Sequence, residues 1–261
     1  SDFPEVHQVV EQGIALKDKA NANGLNLKRR KKKYSLLDER DYQSPEILES
    51  PLFRLARNPQ LISTLSAYLG YVPILTTATF WYNPNSSVIK TEQDIAQFGG
   101  TPTLLSHLDW ADNRLLKVFI HCSPVTAKNG ALQILNPQNS DVIRDRAHYR
   151  YFQSRNTSTD PYQTNGIYLQ DDVIETLNGG KPHYISLTGE AGTVYLVDTA
   201  RCFHYGGRNT DTSQERLLAI LLYLRPGALK LATKHGSTPP FRHLSNASLP
   251  LVDRLLLGEE V

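Results

Sequence analysis

From residue 72 onward the chain is cut into short apolar runs separated by turn residues, and that texture limits what it can become. "VPILTTATFWYN", "LLKVFIHCSPV", "GALQILNP", "HYISLTG", "GTVYLVD" and "RLLAILLYL" are rich in branched and aromatic side chains, the types that suit a pleated, half-buried surface. Several short strands with tight turns build a sandwich or a barrel. Within "FIHCSPVTAKNGALQIL" stands Asn129-Gly130. This pair tolerates positive φ at both positions and predicts a two-residue hairpin.

The first 71 residues read as helical instead. In "NPQLISTLSAYLG", Asn58 is a cap, Pro59 a first-turn proline and Gly70 a stop. Leu61, Leu65, Tyr68 and Leu69 fall at helical spacing between them. Residues 5–20 form a second, weaker helix candidate. The apolar positions of "LPLVDRLLLG" predict a C-terminal helix that packs on the β core. Residues 139–183 are polar and read as a long irregular insertion, with Arg144, Arg146, Arg150 and Arg155 as an exposed charged face or an anion contact. The expected organisation is one domain over 1–261. It has a helical part at 1–71, a β core at 72–225 that contains the insertion, and a tail at 226–261.

Composition excludes some function classes. Six of the 28 basic residues sit in one run, "KRRKKK", Lys28 to Lys33, which leaves 22 against 26 acidic residues elsewhere. The positive charge is local rather than spread over a face, so nucleic acid is not the expected partner. No apolar run approaches the roughly 20 residues of a membrane helix. "SDFPEVHQVV" has no basic segment followed by an apolar core, so no signal peptide is expected. Cys122 and Cys202 are too few for a disulfide framework; buried packing is the expected role of both, and the cytoplasm the expected location.

Against this background the spacing in "LLSHLDWADNRLLKVFIH" stands out. His107 and Asp109 are two residues apart, so on a strand they share a face and could meet one ion. A His-x-Asp pair is a weak signal alone and needs a second histidine. His204 is the best candidate, in "GTVYLVDTARCFHYGGRNTDTSQERLLAILLYL". Arg216 begins the apolar strand that follows, where a guanidinium calls for a carboxylate. A hairpin centred near residue 210 would set His204 and Arg216 across from each other. Two histidines and one carboxylate on one side of a metal are the facial triad of non-haem Fe(II) oxygenases.

The segments "NPQLISTLSAYLG", "HLDWADNRLLKVFIHCSPVTAKNGALQILNPQNS" and "GTVYLVDTARCFHYGGRNTDTSQERLLAILLYL", within 58–224, resemble the phytanoyl-CoA dioxygenase family of Fe(II)- and 2-oxoglutarate-dependent oxygenases. The most specific match is His-x-Gly-Gly-x-Asn followed by the arginine. "LNPQNS" departs from the Pro-Gly-Ser-His usual there. The resemblance implies a mainly β fold with flanking helices, a double-stranded β-helix or cupin-like jelly roll. It implies His107, Asp109 and His204 as iron ligands and Arg216 as the clamp for the 2-oxoglutarate C5 carboxylate. Thr79, Trp81 and Lys117 are further candidates for contacts to 2-oxoglutarate. Trp110 and Trp81 are candidates to line the substrate pocket, and His121 is structural or pocket-lining. The implied activity is hydroxylation of a small molecule with Fe(II), 2-oxoglutarate and O2, releasing succinate and CO2. Related halogenases carry a small residue where this chain has Asp109. Family substrates range from acyl-CoA thioesters to compatible solutes and natural-product intermediates, so the substrate stays open, as does the oligomeric state. The competing readings are a jelly-roll metal- or ligand-binding or sensor protein without turnover, and a cupin-type metal enzyme that needs no cosubstrate.

Overall fold

A computed structural model describes residues 3–24, 34–37, 40–83, 104–109, 111–147, 168–208, 215–228 and 238–260. In chain order they form α1 (Glu5–Ala22), β1 (Tyr34–Ser35), α2 (Pro51–Ala56), α3 (Pro59–Leu69), β2 (Ile74–Asn83), β3 (Ser106–His107), β4 (Leu115–His121) and β5 (Leu132–Ile134). These are followed by α4 (Pro137–Arg146), β6 (Tyr168–Leu169), α5 (Asp171–Asn178), β7 (Ile185–Leu187), β8 (Val194–Val197), β9 (His204–Tyr205), β10 (Arg216–Leu224) and α6 (Leu251–Leu256). The strands make two five-stranded sheets, ordered β1-β2-β10-β4-β8 and β6-β3-β9-β5-β7, and every pairing between named strands is antiparallel.

The first of these has the longer strands, and this larger sheet is covered on both faces. β10 is buried at all nine positions, which explains why "RLLAILLYL" shows no alternation of apolar and polar residues. Its odd-numbered side chains, Leu217, Ala219, Leu221 and Tyr223, join a core with Leu52, Phe53, Leu61 and Leu65 of the helical layer. Leu218 and Ile220 point the other way and pack with Leu132, Ile134 and Leu187 of the smaller sheet. The helical layer is built as its sequence predicts. The Asn58 side chain accepts from the amides of Gln60 and Leu61 at 2.9 and 3.2 Å, Pro59 opens α3, and Gly70 closes it at φ +90°. Leu256 and Leu257, at the end of α6, belong to the same core.

Helix α1 crosses the outer face of the larger sheet. Lys17 ties it to Glu215 at 2.6 Å, and Glu215 in turn accepts from the Tyr82 hydroxyl at 2.7 Å. Gly13 allows the close approach. A Cβ there would stand 2.9 Å from two ring atoms of Phe80 and 3.2 Å from Cys122 Sγ, and Phe80 is fully buried. Gly13→Ala gains about 1 kcal/mol of helix propensity, but overpacking against a fully buried ring costs about 1–3 kcal/mol. The variant is therefore expected to have a lower urea midpoint than the parent. A higher midpoint would show that the ring yields.

Three expectations change. Asn129-Gly130 makes a turn, with Gly130 at φ +90°, but not a hairpin: β4 pairs with β10 and β8, and β5 pairs with β7 and β9. The chain changes sheets at the turn. Asn129 secures the crossing by accepting from Thr126 N at 2.7 Å and donating to the carbonyls of Pro124 at 2.9 Å and Glu215 at 3.3 Å. The expected hairpin between His204 and Arg216 is absent for the same reason, since β9 and β10 belong to different sheets. Residues 139–183 are not irregular throughout, because they hold most of α4 and all of α5. The two helices bury Ile143, Ile174 and Leu177 against Leu108, Leu135 and Phe203. No helix among the described residues is long and apolar enough to cross a membrane. The Lys28–Lys33 run lies outside the described residues.

Candidate metal centre

His107 ends β3 and His204 begins β9, and antiparallel pairing puts them directly opposite. Their rings lie 4.3 Å apart between centroids, inclined at 47°. Asp109 follows two residues after His107, its backbone N–H held by the Thr199 carbonyl at 2.8 Å. One ligand atom from each of the three residues falls within 4.8 Å of the others, and His204 Nε2 is 3.7 Å from Asp109 Oδ2.

The two imidazoles are oriented by the same device. His107 Nδ1 lies 2.8 Å from the Leu105 carbonyl, and His204 Nδ1 lies 3.0 Å from the Cys202 carbonyl. A carbonyl can only accept, so Nδ1 carries a proton in both rings, and Nε2 is the nitrogen left to face a metal. Such backbone contacts fix tautomer and aim in metal-binding histidines. Burial, and then the adjacent His107, push His204 down to about 3, so it is neutral across the physiological range. Burial alone would raise the Asp109 carboxyl. The Lys117 ammonium and the two imidazoles outweigh it and hold the group well below the usual carboxylate range.

Asp109 Oδ2 is buried and accepts no well-directed hydrogen bond; the Lys117 ammonium faces it at 2.5 Å. Two imidazole nitrogens and one carboxylate oxygen suit a divalent first-row transition metal and leave its opposite side open.

Arg216 sits on the inner face of the larger sheet. Alternate residues of a strand share a face, so it is on the side of Leu218 and Ile220. The register sets Asn83 opposite Arg216, Trp81 and His121 opposite Leu218, and Thr79 and Phe119 opposite Ile220. The guanidinium donates to Asn83 Oδ1 at 3.3 Å, and its Nε is buried without a hydrogen bond. Among the described residues no carboxylate forms an ion pair with it. Burial pushes it down to about 10, so it stays charged at neutral pH. It lies beneath two glycines packed back to back. A Cβ on Gly130 would meet Gly207 O at 2.8 Å and Arg216 Nη1 at 3.5 Å, and a Cβ on Gly207 would strike Ala131 O. Gly207 stands three residues past His204, so no more than roughly 11 Å of chain separates that ligand from the backbone above the arginine.

The remaining candidates divide. Lys117 is brought to the centre, but onto Asp109. Thr79 is buried on the inner face, and its hydroxyl shares a 2.7 Å hydrogen bond with Ser35. Trp81 is half-buried there and packs with Leu218 and Ile220. Trp110, Arg150 and Arg155 lie outside the described residues. Arg144 pairs with Asp141 within α4 at 2.9 Å, whereas Arg146 donates to the Leu177 carbonyl of α5 at 2.7 Å and ties the two helices together. Burial pushes the Cys122 and Cys202 thiols up to about 12 and about 11, which suits packing. Burial lowers His121, which the Arg216 charge also disfavours in its protonated form, so the inner wall beside the arginine carries a neutral ring. Asn83, the one polar side chain among the described residues bonded to the guanidinium, carries no sequence signal. Tyr168, opposite His107 with its ring 5.0 Å away, carries none either.

No family model matches the chain, and no curated protein sequence matches it. Among solved structures it is similar to the epimerase SnoN in complex with Fe3+, alpha-ketoglutarate and nogalamycin RO, at 13% identity and a TM-score of 0.47. That match covers 75% of this chain and 64% of the other, so this chain spans less than two thirds of that protein's length. A second structure of SnoN, described as a non-heme alpha-ketoglutarate-dependent epimerase from nogalamycin biosynthesis, aligns at 14% identity over 87% of this chain and 75% of the other, with a TM-score of 0.49. HygX from Streptomyces hygroscopicus, with nickel and 2-oxoglutarate bound, aligns at 14% identity over 84% and 78%, with a TM-score of 0.48. At these identities and scores no function is transferred to this chain.

Proposed function

We propose that the chain is an Fe(II)- and 2-oxoglutarate-dependent dioxygenase that hydroxylates a small molecule, built on a double-stranded β-helix. One observation carries this reading: a His-Asp-His set with both imidazoles buried, and a buried arginine without a carboxylate partner among the described residues, occupy the facing sheets of one sandwich. The alternation of β2, β3, β4 and β5, and again of β8, β9 and β10, between the two sheets supports the fold assignment.

His107, Asp109 and His204 would hold the metal on one side through two Nε2 atoms and a carboxylate oxygen. Iron held there supplies the redox chemistry by which O2 oxidises 2-oxoglutarate to succinate and CO2 while a second substrate gains a hydroxyl group. The carbonyls of Leu105 and Cys202 keep both rings in the binding tautomer. Arg216 takes the distal carboxylate of the 2-oxoacid and neutralises it where water is excluded. Phe119, Leu218 and Ile220 form the apolar wall beside it. Two separated anchors fix one bound orientation of the acid, and a monocarboxylate would lose the arginine contact.

Anaerobic addition of Fe(II) and then 2-oxoglutarate is expected to raise a weak visible charge-transfer band, and admission of O2 to release succinate. A titration in which the metal-loaded chain fails to bind 2-oxoglutarate would reject the enzyme reading in favour of a ligand-binding protein.

A further inference from the structure

Lys117 stands where it has no evident reason to be. It lies on β4 opposite Leu222 and Val197, on the inner face, and its ammonium meets Asp109 Oδ2 at 2.5 Å. The same oxygen is 3.7 Å from His204 Nε2, so it is the oxygen aimed at the shared centre of the triad. A cation held by the triad and the cation on Lys117 therefore address one atom. Arg216, farther along the same inner face, is the better anchor for a distal carboxylate, because among the described residues it has only the neutral Asn83 within hydrogen-bond reach. Lys117 already has an anionic partner.

We infer that Lys117 is a positioning residue that acts through Asp109: its ammonium is the internal counter-ion of the buried carboxylate, and it competes with the metal for that carboxylate. A buried carboxylate without a cation is costly. Lys117 removes that cost in the chain alone and keeps the side chain pointed at the two imidazoles. Metal entry then requires the ammonium to withdraw from Oδ2. Room to withdraw exists, since the Lys117 side chain is 21% exposed and that of Asp109 is 20% exposed. The consequence is a centre that is preassembled but tuned to weaker metal affinity than its ligands alone would give. This inference rests on the proposed metal centre and adds to it a residue that lowers, rather than supplies, affinity.

Lys117→Met keeps the aliphatic stem and removes the charge. Redox-silent Ni(II) is titrated calorimetrically into the parent and the variant without 2-oxoglutarate, and each is melted with and without the ion. The variant is expected to bind Ni(II) roughly tenfold more tightly, a coupling of ordinary size. It is also expected to melt lower than the parent when metal-free and to gain more from the ion. Lys117→Arg restores a cation and is expected to return the affinity toward the parent value. Lys117→Gln, neutral but able to donate to the carboxylate, serves if the methionine variant does not fold, with the same tightening expected. Equal or weaker Ni(II) binding in the neutral variants overturns the competition. If unchanged metal affinity comes with weakened 2-oxoglutarate binding, Lys117 is a cosubstrate contact instead. Failure of the parent itself to bind Ni(II) overturns the metal centre and this inference together, whereas binding that is identical in parent and variant overturns the inference alone.

Discussion

Asp109→Ala is expected to abolish metal binding and succinate release together while the chain keeps its fold. Asp109 is the only carboxylate in the cluster of His107, Asp109 and His204. Without it a divalent ion would meet two imidazoles alone, with no anion to balance it. The backbone contact that sets the position, from the Asp109 N–H to the Thr199 carbonyl, does not involve the side chain. Lys117 loses its partner, but its side chain is 21% exposed and can turn to water. Turnover should therefore fall by at least about a thousandfold, roughly 4 kcal/mol of lost stabilisation, with the circular dichroism spectrum unchanged. Succinate release within tenfold of the parent would remove the carboxylate from the centre.

Arg216→Met is expected to do something different: to weaken 2-oxoglutarate binding while leaving metal affinity intact. The guanidinium is charged, buried and, among the described residues, bonded only to Asn83, with Nε unsatisfied. Much of its desolvation is thus uncompensated in the chain alone, and a dicarboxylate would supply the missing partner. Removing one member of a buried charge pair costs about 3–5 kcal/mol, so the 2-oxoglutarate Kd should rise roughly 100-fold or more. In the absence of ligand the methionine variant should melt no lower than the parent, because an unpaired buried charge has been exchanged for an apolar side chain of similar reach. Parent-like 2-oxoglutarate affinity in this variant would move the anchor elsewhere.

The convergence of His107, Asp109 and His204 was legible because it needs only local geometry and one long-range pairing. His107 and Asp109 share a face by the twofold period of a strand, and both histidines lie beside apolar runs. The same local logic failed at Asn129-Gly130 and near residue 210. Turn chemistry says that a chain reverses, not which sheet the next strand joins, and here the next strand joins the other sheet. The helices at 137–146 and 171–178 had signals that the polar composition hid: Asn136-Pro137 as cap and first-turn proline, and Ile174 with Leu177 three residues on. The Lys117–Asp109 contact could not be read at all. It depends on the register of β4 against β10 and β8 and on the path of the chain after β3, none of which has a local signature.

The strands that carry the two histidines are only two residues long, whereas Arg216 rides on a nine-residue strand buried throughout. The half of the sandwich with the imidazoles can therefore breathe open at a fraction of the free energy needed to unravel the whole. An ion that grips both short strands selects the shut form. Metal supply in a cell would then govern the lifetime of this chain against proteases as well as its competence for chemistry.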